Sequence, residues 1–344
     1  MIALLTGAKK NIGDFLIADR SRRLIQSLSG ETEFLEIDRW RPIDCYLDGI
    51  NDRCRAVVIC GGPAFGRNFY PDILPLIGDL QRIKVPIVPL GVGAEGMQPS
   101  EVENFQFTKE SVRALHCIHD SCRVSGVRDE ITKEILGKAG IKNVTVTGCP
   151  VMFDFDKACN GTFVPPASIT RIVITPPANR KNYHKFLEMA RSLRILFPDA
   201  EIIASFHRGI LPDPHTTVRS SVALLTLVAA LRLRGIFSRD TAYDLSKLDF
   251  YRECDLHVGY RVHAHVMFTS MNKPTFLIQE DTRGIGLSTT LGTDKMDMFA
   301  NEKIEKIIST VSRESRSRFS SFNGLNPTRE KYLKEMKKVA WQFK

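Results

Sequence analysis

Residues 249–292 constrain the fold more than any other stretch of this chain. Their pattern predicts a short apolar strand ending at Val258-Gly259-Tyr260, a helix that opens at Arg261, and a second strand over residues 274–279. Strand, helix and strand in this order form a βαβ unit. Such units place binding residues at the carboxyl ends of strands and the amino ends of helices. Arg261 and the charged residues 280–283 occupy those positions, so a site is predicted there.

Strands and helices alternate through the rest of the chain, which at 344 residues is long for one core and natural for two. Val164-Pro165-Pro166 interrupts the pattern, and we place the domain boundary there. The prediction is an α/β protein in which two domains, residues 1–163 and 164–325, face a central cleft, followed by a basic helix over residues 326–344. Residues 223–233 are apolar nearly all round, which predicts a buried helix rather than a surface one.

Composition excludes several classes of protein. No run of about 18 apolar residues is present, so no membrane-spanning helix is predicted. The amino terminus lacks the charged start of a signal peptide. The eight cysteines include no CxxC pair, as is typical of a reduced cytosolic protein, and we expect a cytoplasmic location.

Most of the net charge of +9 lies at the carboxyl end. Residues 313–344 contain nine basic and three acidic side chains, so nine minus three gives +6. The outer face of a basic helix there is either solvated or a peripheral contact with anionic lipid at the inner face of a membrane. Whether the helix docks on the first domain is left open by the sequence. Nucleic acid is not an expected partner, because the sequence contains no nucleic-acid-binding module or aromatic-interleaved basic motif.

Polar and glycine-rich loops follow the predicted strands of the first domain. Asn11 and Asp14 lie at the start of a predicted helix over residues 15–28. Their oxygens either cap backbone NH groups there or, for Asp14, the carboxylate faces the cleft as an acid or base. Gly61 and Gly62 follow a predicted buried strand and permit close approach of a ligand or another backbone.

Two further patterns suggest a cofactor or a metal, and we reject both. Residues 91–96 match GxGxxG, but Pro99 stands where the following helix should be established, so we predict a tight turn rather than a dinucleotide site. A second cluster has the wrong spacing for a common zinc framework. It consists of His116, Cys117, His119 and Cys122.

Four basic side chains are predicted at strand–helix junctions or just after strands: Arg128, Arg261, His263 and Arg283. Three guanidinium groups with helix amino ends suit an anion that carries a phosphate and a carboxylate, and a histidine beside them can transfer protons. The alternative is that the arginines pair with neighbouring acids such as Asp129 and Asp281.

His263 and His265 are two residues apart, do not share a helix face, and are not predicted to bind one metal. His263 is the candidate for the cleft. His207-Arg208 follows another predicted strand, at a candidate edge of the cleft.

Four motifs together resemble those of the polysaccharide pyruvyl transferase family. They are Asn11-Ile12-Gly13-Asp14, Gly61-Gly62, Val127-Arg128-Asp129, and Gly259-Tyr260-Arg261-Val262-His263-Ala264 followed by Lys273-Pro274. The resemblance implies a GT-B-like fold with two Rossmann-like domains, the first on the acceptor side and the second on the donor side. It also implies transfer of pyruvate from phosphoenolpyruvate to a sugar of a surface polysaccharide, such as an exopolysaccharide, or of its lipid-linked precursor. The product is a ketal, and neither a metal nor a cofactor is expected.

The resemblance also assigns roles to residues. His263 is expected to protonate the donor as general acid, and Asp14 to accept a proton from the sugar hydroxyl. Arg128, Arg261 and Arg283 are expected to hold the phosphate and carboxylate. The remaining residues expected to bind substrate are Asn11, Gly61 and Gly62. Two departures from the family pattern are Arg283, where many members have lysine, and Pro63, which replaces a third glycine.

Two other functions stay open from the sequence. A GT-B-type glycosyltransferase that uses a nucleotide sugar is compatible with the fold, since a fold does not determine a function, although no signature of a base-binding pocket is present. A binding or scaffold protein with a degenerate site is the third hypothesis, and the intact Arg261–His263 pair argues against it. No oligomeric state is predicted.

Overall fold

A computed structural model describes residues 1–154 and 162–343. The first of its two sheets has the strand order β2-β1-β3-β5-β6-β7, with β4 beside β5, and every pairing is parallel. Its strands are β1 (Ile2–Thr6), β2 (Phe34–Asp38), β3 (Val57–Cys60), β4 (Pro63–Phe65), β5 (Ile87–Ala94), β6 (Ser125–Val127) and β7 (Val144–Val146). Its helices are α1 (Ile12–Ser29), α2 (Leu47–Arg53), α3 (Phe69–Asp72), α4 (Lys109–Asp120) and α5 (Glu130–Lys138).

The second sheet has the order β10-β9-β8-β11-β12-β13 and is also parallel throughout. Its strands are β8 (Arg171–Thr175), β9 (Glu201–Phe206), β10 (Phe237–Asp240), β11 (Leu256–Gly259), β12 (Thr275–Gln279) and β13 (Met298–Phe299). The helices are α6 (Tyr183–Leu196), α7 (Val218–Arg232), α8 (Val262–Ser270), α9 (Thr282–Leu291), α10 (Ile304–Arg316) and α11 (Leu325–Ala340). The predicted α/β class with two parallel-sheet domains is confirmed.

In each sheet, successive strands are added first on one side of a starting strand and then on its other side. In the first sheet, β1 lies between β2 and β3, and in the second, β8 lies between β9 and β11. Loops diverge at the carboxyl ends of such strand pairs and leave a crevice. These crevices lie beside the β1–α1 loop of the first domain and the β11–α8 junction of the second.

The two domains share a core and a hydrogen-bonded seam. Ala264 and Phe268 of α8 pack into the same apolar cluster as the first sheet. The backbone of Met97 and Thr282 pairs across the cleft, with Thr282 N donating to Met97 O at 3.0 Å. Ile12 N donates to the carbonyl of His207 at 3.0 Å. The positions of the first-domain loops relative to the second domain are therefore fixed by direct contacts.

The carboxyl-terminal helix docks on the first domain. Tyr332, Met336 and Val339 of α11 are buried in the first core. Gln342 extends the contact, because its side chain accepts from Arg123 N at 2.7 Å and donates to Val124 O at 2.7 Å. The predicted division into residues 1–163, 164–325 and 326–344 stays a prediction, since part of the linker lies outside the described residues.

Two expectations about local structure are wrong. The first four GxGxxG residues form no tight turn, because β5 extends through Gly91 and Gly93 to Ala94, with a register shift at Gly91. The helix predicted to be buried lies at the surface as α7, with Val222 58% exposed and Leu225 45% exposed. An apolar composition on every face does not reveal which neighbours the tertiary structure supplies.

Within residues 1–154 and 162–343, no helix combines the length and the apolar composition that crossing a bilayer requires. The seven cysteines in the same part of the chain are free of disulfides. His119 of the rejected zinc cluster is fully buried and shares a hydrogen bond with Ser125 Oγ at 2.6 Å. The described residues contain no group of three or more histidine, cysteine or acidic side chains arranged to hold a metal.

Candidate functional site

The first-domain half of the cleft begins at the β1–α1 loop. Asn11 occupies the N-cap position of α1, but its side chain makes no capping bond. Its amide donates instead to Asp14 Oδ2 at 3.1 Å. The capping alternative is therefore wrong for the Asn11 side chain, which orients the carboxylate of Asp14.

Burial raises the pKa of Asp14, while the positive charges of Arg39, Arg208 and Arg283 and the hydrogen bond from Asn11 act to lower it. A carboxyl group with a raised pKa is better matched to proton transfer near neutrality than an ordinary surface aspartate. The three arginines also show that Asp14 lies within electrostatic reach of both domains.

Gly61 and Gly62 support a buried arginine that the sequence analysis did not single out. Both glycines have positive φ values, 36° and 70°, which a side chain would strain. Arg39 is 3% exposed and donates to the carbonyl of Gly61 at 3.1 Å and that of Pro63 at 3.2 Å. The group that approaches this loop closely is therefore the guanidinium of Arg39, where the sequence analysis expected a ligand or another backbone. Direct contact of the glycines with substrate stays a prediction.

Arg261 is the N-cap residue of α8, at the crevice between β8 and β11. Its backbone NH donates to Thr175 Oγ1 at 3.1 Å and its guanidinium to the carbonyl of Pro177 at 3.4 Å. Its Nε is buried without a hydrogen-bond partner among the described residues. Burial lowers the pKa of Arg261 to about 10, with Glu280 opposing and Arg208 and Arg283 reinforcing the effect. A desolvated guanidinium with spare donors favours an anionic ligand.

His263 lies in the first turn of α8, against the amino end of α1. A Cβ atom built on Gly13 would stand 2.5 Å from His263 Nδ1, so only glycine permits this packing. Burial, followed by the charges of Arg128 and Arg283, lowers the pKa of His263 to about 3. Its Nε2 is buried and has no hydrogen-bond partner within the described part of the chain. The free protein therefore holds a neutral imidazole with an unused ring nitrogen.

Arg128 directly follows β6 and is 2% exposed. Its Nε donates to Asp129 Oδ2 at 2.8 Å and its Nη2 to the carbonyl of Ala94 at 3.4 Å. A Cβ on Gly93 would stand 2.2 Å from Arg128 Cζ, so the guanidinium lies flat on a glycine. This contact gives Gly93 of the GxGxxG pattern a structural purpose unrelated to dinucleotides.

Arg283 pairs with Asp281, as the alternative interpretation of the sequence allowed. Its Nη2 donates to Asp281 Oδ2 at 2.6 Å and its Nε to Oδ1 at 3.0 Å. The same carboxylate caps α9 by accepting from Arg283 N. Nevertheless, the charge of Arg283 affects the pKa values of Asp14, Arg261 and His263, which places it centrally in the group.

Two cavities lie beside this group, one lined by Arg261 and the other by Arg283. One, of about 240 Å³, lies at the β8–β11 crevice, and its polar lining includes Arg180, Arg208, Arg261 and Ser220. The other is a wider cleft of about 1300 Å³ between the domains, lined by Gly96 on one side and by Arg283, Lys181 and Lys185 on the other. Together they offer a small cationic pocket beside room for a larger molecule.

The remaining predicted histidine has a structural role. His265 is fully buried and shares hydrogen bonds with Thr275 Oγ1 at 2.9 Å and Thr293 Oγ1 at 3.1 Å. The expectation that it packs is confirmed.

Arg39 and Arg180 are the site residues that the sequence analysis missed, and Arg208 was noted only as a cleft-edge residue. Arg39 directly follows β2, so the rule that strand carboxyl ends carry binding residues could have identified it. Arg180 follows β8 by a loop, and only the tertiary structure brings it beside Arg208 and Arg261.

The sequence model of the family described as "Polysaccharide pyruvyl transferase" matches residues 11–282, which include the four motifs that carry the resemblance and end one residue before Arg283. The chain belongs to the polysaccharide pyruvyl transferase family. Membership makes it a transferase enzyme of polysaccharide biosynthesis. Among curated protein sequences, none is similar enough to count as a match.

Solved structures with the same architecture come from other enzyme families. MnaA of S. aureus in complex with UDP has a TM-score of 0.56 at 12% identity, covering 97% of this chain and 93% of that chain. The UDP-GlcNAc 2-epimerase of Neisseria meningitidis bound to UDP-GlcNAc has a TM-score of 0.55 at 12% identity, with coverage of 98% and 100%. A glycotransferase of kitacinnamycin has a TM-score of 0.51 at 11% identity, with coverage of 100% and 99%. These similarities show the fold, and this pyruvyl transferase family member has a GT-B-like arrangement.

Proposed function

We propose that this family member transfers pyruvate from phosphoenolpyruvate to two hydroxyls of one sugar, forming a ketal on a surface polysaccharide such as an exopolysaccharide, or on its lipid-linked precursor. The observation that carries the proposal is the buried, unpartnered Nε2 of His263, which lies among arginine charges between two domains. Phosphoenolpyruvate is a small molecule with a phosphate, a carboxylate and a carbon that must be protonated. Its two anionic groups match the arginine charges, and the carbon that must be protonated matches the unpartnered Nε2 of His263.

The donor's anionic groups bind in the cationic pocket, held by Arg261 with Arg208 and Arg180, while Arg128 and Arg283 supply charge from the His263 side. The negative charge of the bound donor offsets the arginines that keep the imidazole neutral. The pKa of His263 then rises, and the ring takes up a proton. His263 is thereby charged as a general acid only when the donor is present.

The reaction proceeds by addition and substitution at one carbon. His263 transfers its proton to the methylene carbon of the donor, which leaves a cation-like centre at the neighbouring carbon. A sugar hydroxyl attacks that centre while Asp14 accepts its proton. The bond between that carbon and the phosphate oxygen then breaks, and phosphate leaves. A second hydroxyl of the same sugar attacks the carbon and closes the ketal, and its proton leaves with the phosphate. No cofactor or metal takes part in this scheme.

The deciding experiment compares donors. We expect phosphoenolpyruvate to raise the melting temperature by several degrees at saturating concentration, and a panel of glycosides to trigger phosphate release. UDP-sugars should do neither. Stabilisation by a UDP-sugar without any by phosphoenolpyruvate would replace the proposal with the nucleotide-sugar glycosyltransferase, the second candidate that the GT-B-like fold allows.

Replacing Gly93 with alanine should weaken phosphoenolpyruvate binding about tenfold or more without removing a charge. The new methyl group overlaps Arg128 Cζ at 2.2 Å, so the guanidinium must move away from the position from which it would reach the donor. The overpacking also lowers folding stability by about 1–3 kcal/mol. Calorimetric titration measures the affinity. Gly137→Ala is the matched control, because nothing lies within 4 Å of its Cβ position and α5 should gain about 0.5–1 kcal/mol. Equal affinities of the two variants would contradict a role for Arg128 in binding.

A peripheral contact through α11 is also proposed. The docked helix leaves Lys331, Lys334, Lys337 and Lys338 exposed. Its apolar face is buried against the first domain, so this contact with an anionic inner leaflet is purely electrostatic. It fits an enzyme working in the cytoplasm on a lipid-linked acceptor. Unchanged binding of Lys334→Glu/Lys337→Glu to anionic vesicles at low salt would contradict it.

A further inference from the structure

The outward face of α7 is apolar. The helix buries Ser221, Leu227 and Leu231 against the second domain. Its opposite side exposes an outer stripe, defined here as Val218 (69% exposed), Val222 (58%), Leu225 (45%) and the adjoining Leu233 (88%). Their spacing of four, three and eight residues keeps them on one side of a helix of 3.6 residues per turn. Surface helices of globular proteins usually carry charged or polar residues on that side.

Positive charge accompanies the outer stripe. Residues 218–239 contain Arg219, Arg232, Arg234 and Arg239 and no acidic residue. Arg219 and Arg232 are exposed at the two ends of α7. The acidic residue just before the helix, Asp213, pairs with Lys10 at 2.5 Å. A continuous apolar stripe with arginines at its ends and no acidic residues is the pattern of a helix that lies in the plane of an anionic membrane surface.

The amino end of α7 reaches the cationic pocket. Ser220 and Leu224 line the cavity of about 240 Å³ together with Arg208 and Arg261. Arg180 Nη2 donates to Ser220 Oγ at 2.6 Å, which ties the helix to the pocket wall. A membrane in contact with the outer stripe would therefore lie along a helix that begins at the site.

We propose that α7 docks the protein on an anionic lipid surface, with the outer stripe among the headgroups and the flanking arginines on lipid phosphates. A second copy of the chain is the less favoured occupant, because a two-fold contact through this face would bring the arginines of both copies together. On the proposed function, this docking presents a lipid-linked sugar to the pocket at the amino end of α7.

The test measures co-sedimentation of the full chain with phosphatidylcholine vesicles, with and without phosphatidylglycerol. The wild-type protein should bind the anionic vesicles. Val222→Glu/Leu225→Glu should reduce the partition coefficient at least about tenfold, since it places two carboxylates on the inserted face. Ile195→Glu is the matched control, because Ile195 is 71% exposed on α6 and outside the stripe, and it should bind as the wild type does.

The proposal would be overturned if the wild-type protein did not bind anionic vesicles, or if the double variant bound them as well as the wild type. It would also be overturned if the wild type bound no vesicles and formed a dimer that the double variant converts to monomers, since a second copy would then cover the outer stripe. The thermal unfolding of each variant confirms that it is folded. Vesicle binding requires no substrate, so its failure is distinct from failure of the pyruvyl transfer. A folded double variant should still release phosphate from phosphoenolpyruvate with a soluble glycoside.

Discussion

Turnover of His263→Ala with phosphoenolpyruvate and an acceptor should fall about 10²–10⁴-fold, the range that a general acid typically contributes. Donor affinity should change little, because the arginines that hold the anion remain in place. His263→Asn should lose as much turnover, since an amide at this position cannot carry the transferable proton. Single-turnover phosphate release and calorimetric titration separate the two quantities.

A surface histidine provides the control. His116→Ala changes a side chain on α4 that is 46% exposed and should leave both quantities unchanged. Full turnover in His263→Ala, with unchanged donor affinity, would remove His263 from the mechanism.

The same histidine links donor binding to pH. Its pKa is about 3 in the free protein, and the bound anion raises it. At a pH between the pKa of His263 in the free protein and its pKa in the complex, donor binding is accompanied by uptake of one proton. The affinity for the donor should therefore fall as the pH rises through this range, and it should become independent of pH above the pKa of the complex. Calorimetry in buffers of different ionisation enthalpy measures this uptake. His263→Asn should abolish the uptake, and a wild-type protein that binds the donor without proton uptake at any pH would contradict protonation in the complex.

Acidification from pH 7 to pH 5 should reduce the free energy of unfolding by several kcal/mol. Burial lowers the pKa of His119 and of His263 to about 3, and the pKa values of His207 and His257 well below the ordinary value. These groups are neutral when folded. The unfolded chain takes up protons below about pH 6.5, so stability is lost as pH falls from there toward the folded pKa values. For His119 and His263 the loss is about 2 kcal/mol each at pH 5.

Two carboxyl groups act in the opposite direction. Burial raises the pKa values of Asp14 and Asp297 in the folded protein. Protonation of these carboxyl groups at low pH therefore stabilises the folded state. Only these two carboxyl groups among the described residues oppose the four buried histidines named above, so the net effect of acid is a loss of stability. Urea unfolding at pH 7, 6 and 5 measures the net effect. A variant His119→Gln should be less stable at pH 7 yet show a shallower pH dependence. A denaturation midpoint that stays constant over this range would show that the histidines are accessible to protons in the folded protein.

Local sequence patterns were sufficient for the elements that carry the site. Short apolar runs that end at or next to a glycine predicted β1, β3 and β11. The change to a helical period after Arg261 predicted α8. Because parallel α/β units place loops at strand carboxyl ends, the same patterns brought attention to Asp14, Arg128, Arg261 and His263. In the structure all four lie near the contact between the two domains, and Arg261 also lines the smaller cavity. These features are local, so the sequence can specify them without knowledge of the neighbours.

The errors arose where a neighbour decides the outcome. Gly91 and Gly93 suggested a turn, yet β5 continues through both: Gly93 N donates to Gly62 O at 2.9 Å, and Gly91, with φ 66°, lies where β5 shifts its register against β6. The missing side chain at Gly93 accommodates Arg128. The apolar helix α7 was expected inside, yet the second sheet covers one side only. The carboxyl-terminal helix was an open question rather than an error, since the sequence did not decide whether it contacts a membrane or docks on the first domain, and the structure shows its apolar side docked there.

The sequence by itself determined the α/β class, the family motifs and the junctions at which charged residues stand. Only the tertiary structure decided that Gly13 backs the ring of His263, that Arg39 donates to the loop of Gly61, and that Arg283 is paired with Asp281. The physical reason is that backbone periodicity depends on residues a few positions apart. Burial, pKa and ion pairing instead depend on atoms that folding brings together from both domains.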